Sequence, residues 1–232
     1  MIKWPTELEF LNYLNKFQNF VFEEISGVVC VIDGTEIEVP KPRNKEQQKI
    51  LWCRKKFFSI NFQVIVLLNG EIIYVSSYMK SSSDQKHWNS LGLRNLFIEK
   101  KYGIMGDSGY TFNKKKEKWR IIGLTPYKEQ PNSDLTDDEK IFNTKFSQTR
   151  VVVENTFSKI KNWGILSTKY RHYSPEKTFF INLNMVFKTC CCLTQLHLLK
   201  NPLRNDKWIH PSKKKYSPLF VLVIIMIFSF LD

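Results

Sequence analysis

"GVVCVIDGTEIEV", residues 27–39, decides the fold. Val28, Val29, Val31, Ile32 and Ile37 are β-branched and favour a strand, and Pro40 and Pro42 stop it because proline has no amide hydrogen to give a sheet. Asp33 interrupts the apolar run. A carboxylate inside a strand is unfavourable unless it is solvated, paired or bound to a cation, since desolvating it alone costs several kcal/mol or forces it to protonate. Alternation puts Val31 and Asp33 on one side of the strand and Ile32 on the other, with Gly34 and Thr35 expected to end its tightly packed part. Glu36 and Glu38 read as edge or solvent-facing acids.

The flanks give this strand its neighbours. Upstream, residues 5–24 place Leu8, Leu11, Leu14, Phe17 and Val21 at helical spacing, and Gly27 ends the helix. Downstream, residues 57–79 read as two strands around Asn69-Gly70, a strong hairpin signal. Residues 84–99 turn helical, with Trp88, Leu91 and Leu96 on one side. "YGIMGDSGY" (102–110) and "RIIGLTP" (120–126) read as short strands, with a loop at 130–134. Thr136 and Glu139 form a capping box that opens a long helical stretch to about Ser167, and a further helix covers about 175–199.

This order predicts an α/β, RNase H-like core: a mixed five-stranded sheet in which an antiparallel meander continues through a crossover helix into parallel strands, flanked by helices. The first strand is then central and the fourth pairs beside it. Asp33 and Asp107 become neighbours at the carboxyl edge, where sites form in open sheets. Residues 1–26 are expected to be a helical lead-in, 27–205 the RNase H-like domain, and 206–232 a basic and then apolar tail.

The composition, 43% hydrophobic and 14% aromatic over 232 residues, excludes a disordered chain. A net charge of +13 favours polyanionic partners such as nucleic acid or an anionic membrane surface. Five cysteines, three of them adjacent and none in CxxC spacing, suggest neither a disulfide framework nor a zinc site, and fit a reducing compartment. "MIKWPTELEF" has acids and a proline where a signal peptide would be apolar. The apolar stretch Leu219–Leu231 is shorter than the roughly 18 to 20 residues that span a bilayer, so a buried terminal strand or helix or an off-pattern terminus is expected ahead of the alternative, a short tail anchor.

Glu154, among the apolar residues of "RVVVENTFSKIKNWGIL", supplies a third acid. Two carboxylates from adjacent strands and one from a packed helix can hold two hard cations about 3.5 to 4 Å apart, the arrangement that cuts or transfers phosphodiesters. Mg²⁺ suits it, binding a few carboxylates together with water and phosphate oxygens. Each acid also has a plainer reading: Asp33 as part of an Asp-Gly turn, Asp107 as a turn residue or helix cap, and Glu154 as the partner of Arg150 four residues earlier.

"IKWP", "IDGTEI", "KSSSD", "GDSGY", "LTP", "FN", "RVVVENTFSKIKNW" and "CCCLTQLHLLKNPLR", spread over about residues 2–204, resemble the nuclease domain of Harbinger-type transposases, relatives of the IS5-type DDE transposases. "DGT", "GDSGY" and "RVVVENTF", whose acids lie 74 and then 47 residues apart, carry the likeness together. The resemblance implies that Asp33, Asp107 and Glu154 are the catalytic acids. It adds Asp84 in "KSSSD" to the metal ligands, although Lys80 stands where the family has glycine. Gln195 stands where many relatives have asparagine, at a position for packing or substrate contact.

The implied activity is a DNA endonuclease and transposase that uses Mg²⁺ or Mn²⁺ in a two-metal mechanism, with DNA as substrate and a nuclear location. Arg150, Lys159, Lys161 and the Lys114–Lys118 run are candidate phosphate contacts, or a solvated basic face. Only 32 residues precede Asp33, whereas relatives carry an upstream helical DNA-binding segment. That leads to the expectation of poor binding to DNA ends, of a separate DNA-binding protein partner, or of a decayed or domesticated copy; a homo-oligomer is a further expectation. The alternative is a catalytically silent, transposon-derived DNA-binding protein.

Overall fold

Strand β1, Val28–Glu38, lies at the centre of a mixed sheet. The computed structural model describes residues 2–80, 84–97, 102–112, 123–131, 133–171, 176–205 and 207–211. On one side β1 pairs antiparallel with β2 (Ser59–Leu67), Asp33 opposite Val64 and Gly34 opposite Gln63. β3 (Ile72–Val75) and β4 (Met79–Lys80) both pair antiparallel with the far side of β2. They are two pieces of one edge strand, parted where the Ser76 hydroxyl accepts the Gln63 amide at 2.9 Å. On its other side β1 pairs parallel with β5 (Gly103–Met105), and β5 with β6 (Gly123–Leu124).

The order β3-β2-β1-β5-β6 is the expected one, antiparallel in one half and parallel in the other, with helices on the faces, as in an RNase H-like core. β1 differs from expectation in one respect. Packing does not end at Gly34 and Thr35: Thr35, Ile37 and Val39 are all buried, because β2 pairs with β1 as far as Glu38. Glu36 and Glu38 do lie at the periphery, in ion pairs with Lys55 at 3.2 Å and Lys169 at 2.9 Å. Residues 120–122 of the last expected strand lie outside the described residues, as do Lys114–Lys118 and the apolar tail.

The first helix, α1, covers only Glu7–Lys16 of the expected 5–24. Thr6 and Glu9 cap it reciprocally, and then the chain unwinds into two short 3₁₀ turns, Gln18–Phe20 and Glu23–Ile25. Phe20, Val21 and Phe22 are all buried. Successive α-helical side chains point about 100° apart, so no single helix could bury three in a row against one core. α2 (Lys45–Leu51) was not anticipated; it buries only Leu51, leaving little periodicity to read, and rests on an Asn44 cap that accepts from the Glu46 amide at 2.8 Å.

α3 (Asp84–Leu91) stops at Gly92, whose φ of +63° no helix continues, and a 3₁₀ turn follows at Leu93–Leu96. The expected long helix is α4 (Asp137–Lys161), opened by the Thr136–Glu139 capping box and broken at Trp163 before the one-turn α5 (Gly164–Ser167). α6 (Glu176–Lys200) lies against β2 and the edge strand: Phe187 stacks on Phe62 with ring centroids 4.0 Å apart, and Asn184 accepts from the Tyr78 amide at 3.1 Å. Gln195 is buried and accepts from the Ile72 amide at 2.6 Å, tying α6 to the edge strand. By length and composition alone residues 178–200 could also cross a membrane, but Leu183, Phe187, Cys191 and Leu198 are buried in the core.

The β2–β3 hairpin turns at Gly70, with φ +96°, and the Leu203 amide donates to Asn69 O at 2.9 Å. A methyl group on Gly70 would lie 2.7 Å from Leu203 Cδ1. Gly70→Ala is therefore expected to cost about 1 to 3 kcal/mol, from a strained φ and a displaced Leu203. Equilibrium unfolding in urea measures it, and an unchanged midpoint would show that the turn relaxes freely.

Candidate active site

Asp33 leaves the middle of β1 toward α4. Its Oδ1 accepts from the Gly34 amide at 2.8 Å, and its Oδ2 accepts from Arg150 Nη1 at 2.9 Å. Arg150 sits one helical turn before Glu154 on α4, and its Nη2 donates to Glu154 Oε1. The same-helix pair readable from the sequence thus forms, and it also reaches across to the sheet. One planar guanidinium holds the Asp33 and Glu154 carboxylates within its own span.

Asp107 follows directly on β5. The Gly106 amide donates to Leu124 O at 3.0 Å, so strand pairing continues up to the acid. A side chain on Gly106 would run into Tyr110, Phe112 and Ile32, which fixes glycine there. Asp107 Oδ1 accepts from the Gly109 amide at 2.8 Å, closing the turn that leads to Tyr110. The turn reading of this residue holds, and Asp107 lies two residues past Met105, whose partner Val31 lies two residues before Asp33.

Asp84, the first residue of α3, lies over Gly34: any side chain on Gly34 would collide with Asp84 Oδ1. Side chains of successive strand residues point to opposite faces, so Asp84 approaches β1 from the face opposite Arg150 and Glu154. The four acids therefore divide. Asp33 and Glu154 share Arg150 on one face, Asp84 occupies the other, and Asp107 ends the neighbouring strand.

Electrostatics joins these groups. Burial pushes the Asp33 carboxyl up to about 6, Arg150 and the Gly34 amide pull it down, and Asp107 and Asp84 push it up further. The Asp84 carboxyl is also raised, by burial first and then by Asp107 and Glu36. Asp107 thus acts on both. Buried Tyr110 feels Asp84, Asp33 and Asp107 together, and its hydroxyl stays protonated well above the ordinary range.

Among the described residues, no three acidic, histidine or cysteine side chains stand at ligand distance from a common point. The donor chemistry still fits a hard divalent cation, since every candidate ligand is a carboxylate oxygen. Asp33, Asp107 and Glu154, with Asp84 behind Gly34, would hold it, in competition with Arg150.

The Asp33 shift sets a pH dependence. Its carboxyl binds a proton more tightly in the folded chain, at about 6, than at its ordinary value of 3.8, so the folded state holds more protons between these values. Stability is then highest below about pH 4 for this group and is lost as pH rises through about 6. Asp33→Asn in chelator-treated protein is expected to flatten this loss and raise the melting temperature at pH 7.5. A lower melting temperature would show that Arg150 more than offsets the burial.

The remaining cationic candidates disperse. Lys159 faces a cavity of about 390 Å³ between α4 and α6, with Trp163 and His197. The Lys161 ammonium is pushed down by burial and by Lys55, with Glu36 opposing. Among the described residues, Arg150 is the one of these candidates that touches the acids. Gln63 and Tyr110 were missed: Gln63 donates through Nε2 to Asp84 O and to the Tyr110 hydroxyl, both at 2.9 Å. The signal existed, since Gln63 interrupts "FFSINFQVIVLL" much as Asp33 interrupts its own strand.

A mixed sheet with an acid in its central strand, a second just past its parallel neighbour and a third on a helix packed against them defines the class as an α/β, RNase H-like domain. Residues 32–195 match the DDE superfamily endonuclease family, and the chain belongs to it. All four acids fall within the matched span. The chain is 24% identical over 159 residues to the "Probable transposase for insertion sequence element IS702" of Microchaete diplosiphon, a match covering 68% of this chain and 54% of that protein. It therefore spans about half the length of this curated relative. No solved structure matches the chain at a significant level.

Proposed function

We propose that the chain is the nuclease domain of a Harbinger-type, IS5-related transposase that cuts and joins DNA phosphodiesters. The observation that carries this reading is that β1 and β5 pair in parallel with Val31 opposite Met105, two residues before Asp33 and Asp107 respectively, while Arg150 on α4 bonds both Asp33 and Glu154. Asp33, Asp107 and Glu154, with Asp84, are the proposed ligands of Mg²⁺ or Mn²⁺. Such ions activate a water or a 3′-hydroxyl and stabilise the leaving oxygen. The chain itself supplies the rest. The β1–β5 pairing fixes the separation of two acids, Gly34 leaves room for Asp84, and Arg150, planar and always charged, is suited to a phosphate once it leaves the acids.

On this reading DNA is the substrate, the protein acts in the nucleus with a separate DNA-binding protein and as a homo-oligomer, and residues 27–205 form the catalytic unit. One observation favours the second reading, a catalytically silent DNA-binding protein: Arg150 already occupies both Asp33 and Glu154 in ion pairs. Nicking of supercoiled plasmid in Mg²⁺ or Mn²⁺, with a chelator control, separates the two. Chelator-sensitive nicks support the nuclease, and DNA retention without nicking supports the silent protein.

A further inference from the structure

Gln63 is an uncharged polar residue at the heart of the sheet with no exposed surface. Its backbone is fixed twice by Ser76, whose hydroxyl accepts its amide at 2.9 Å and whose own amide donates to its carbonyl at 2.9 Å. As the cross-strand partner of Gly34 it projects to the face where Asp84 lies. There its two amide hydrogens go to two different segments. One is given to the main-chain oxygen of Asp84 in the first turn of α3, and the other to the hydroxyl of Tyr110, three residues beyond Asp107.

Burying an amide in a strand core is costly unless the bonds it makes are worth having. A valine or isoleucine here would pack as the neighbouring strand residues do, so packing alone gives no reason for glutamine. The bonds join two segments that each carry a proposed ligand and that no strand pairing connects. α3 and residues 107–112 meet elsewhere through the Thr111 amide on Gln85 Oε1 and through Trp88 against Tyr110 and Phe112. Gln63 ties both, through one side chain, to the sheet that carries Asp33. Gly34 completes the arrangement, because the missing side chain opposite Gln63 is what lets Asp84 reach β1.

We propose that Gln63 is a positioning residue of the site, holding the Asp84 turn and the Asp107–Tyr110 turn in register across β1, with Tyr110 as its second arm. This rests on the nuclease reading, and it explains how Asp84 is held without the glycine that the family places at residue 80. Partners that orient ligands without binding the ion typically change ion affinity about 10- to 100-fold when removed.

The test is Mn²⁺ binding to the full chain, followed by the loss of the free-ion electron paramagnetic resonance signal, in wild type, Asp33→Asn, Gln63→Leu, Tyr110→Phe and the Gln63→Leu/Tyr110→Phe double variant, with circular dichroism reporting the fold. Gln63→Leu is expected to stay folded and to bind Mn²⁺ about 10- to 100-fold more weakly. Tyr110→Phe should weaken binding in the same direction, and the double variant should be no weaker than Gln63→Leu, since both break one chain of bonds. If Gln63→Leu does not fold, Tyr110→Phe alone decides. Wild-type affinity in the folded single variants, or losses that multiply in the double, overturns the proposal and leaves the nuclease reading standing. Wild type with no Mn²⁺ binding that Asp33→Asn removes overturns both.

Discussion

Asp33→Asn in the full chain is expected to lower divalent-ion-dependent DNA nicking by at least about a thousandfold, the scale seen when a central catalytic group is removed. The replacement keeps shape and can keep the hydrogen bond from the Gly34 amide, so the loss isolates the charge. That charge is the middle of the site: it bonds Arg150, through which it meets Glu154, and it is the acid on which Asp107 and Asp84 both act. Asp107→Asn should be as severe. Asp84→Asn should cost less, because Asp84 comes from the opposite face of β1. Rates measured with Mg²⁺ and with Mn²⁺ on one plasmid substrate check the series, and a loss under about tenfold at Asp33 would place the chemistry elsewhere.

Arg204→Met is expected to destabilise the fold by about 3 kcal/mol, the scale of losing hydrogen bonds from a charged donor inside a protein. Arg204 is 5% exposed and donates to Leu68 O at 3.3 Å, Gln148 O at 2.8 Å and Thr149 O at 3.0 Å. Its guanidinium lies 4.1 Å over the Trp208 ring. Burial lowers its pKa to about 10, which leaves it charged at neutral pH. It pins the end of β2 to α4 within one turn of Arg150, so its loss should also loosen the helix that carries Glu154. Methionine keeps the apolar bulk, and Arg204→Lys should recover little, because an ammonium cannot reproduce the planar fork. Equilibrium unfolding in guanidinium chloride measures the effect, and a change under about 0.5 kcal/mol would mean that the carbonyls find other partners.

Much of the fold was legible because strong local rules agree with the tertiary result. β-Branched residues between Gly27 and Pro40, the Asn69-Gly70 turn and the Thr136–Glu139 box each specify one element, and their order specifies the sheet. The end of α1 was not legible, since what stops the helix is the demand of a core that takes Phe20, Val21 and Phe22 together. α2 left no apolar stripe to detect.

The candidate acids could be picked out of the sequence, and what connects them could not. The spacing of Asp33, Asp107 and Glu154 follows from the order of elements that carry them. That Arg150 would bond two of them at once depends on how α4 is rotated against β1, which periodicity does not give. The face from which Asp84 arrives depends on Gly34, where a turn-forming glycine and a glycine that makes room read alike. Gln63 passed as a stray polar residue in an apolar strand until its two partners were in place.

An anomalous difference map from crystals of the full chain grown with Mn²⁺ tests the central claim most directly. The account predicts a peak against the carboxylates of Asp33 and Asp107, with Glu154 turned to it and the Arg150 guanidinium withdrawn from Asp33 Oδ2. A map with no peak there, and Arg150 still bonded to both Asp33 and Glu154, would contradict it.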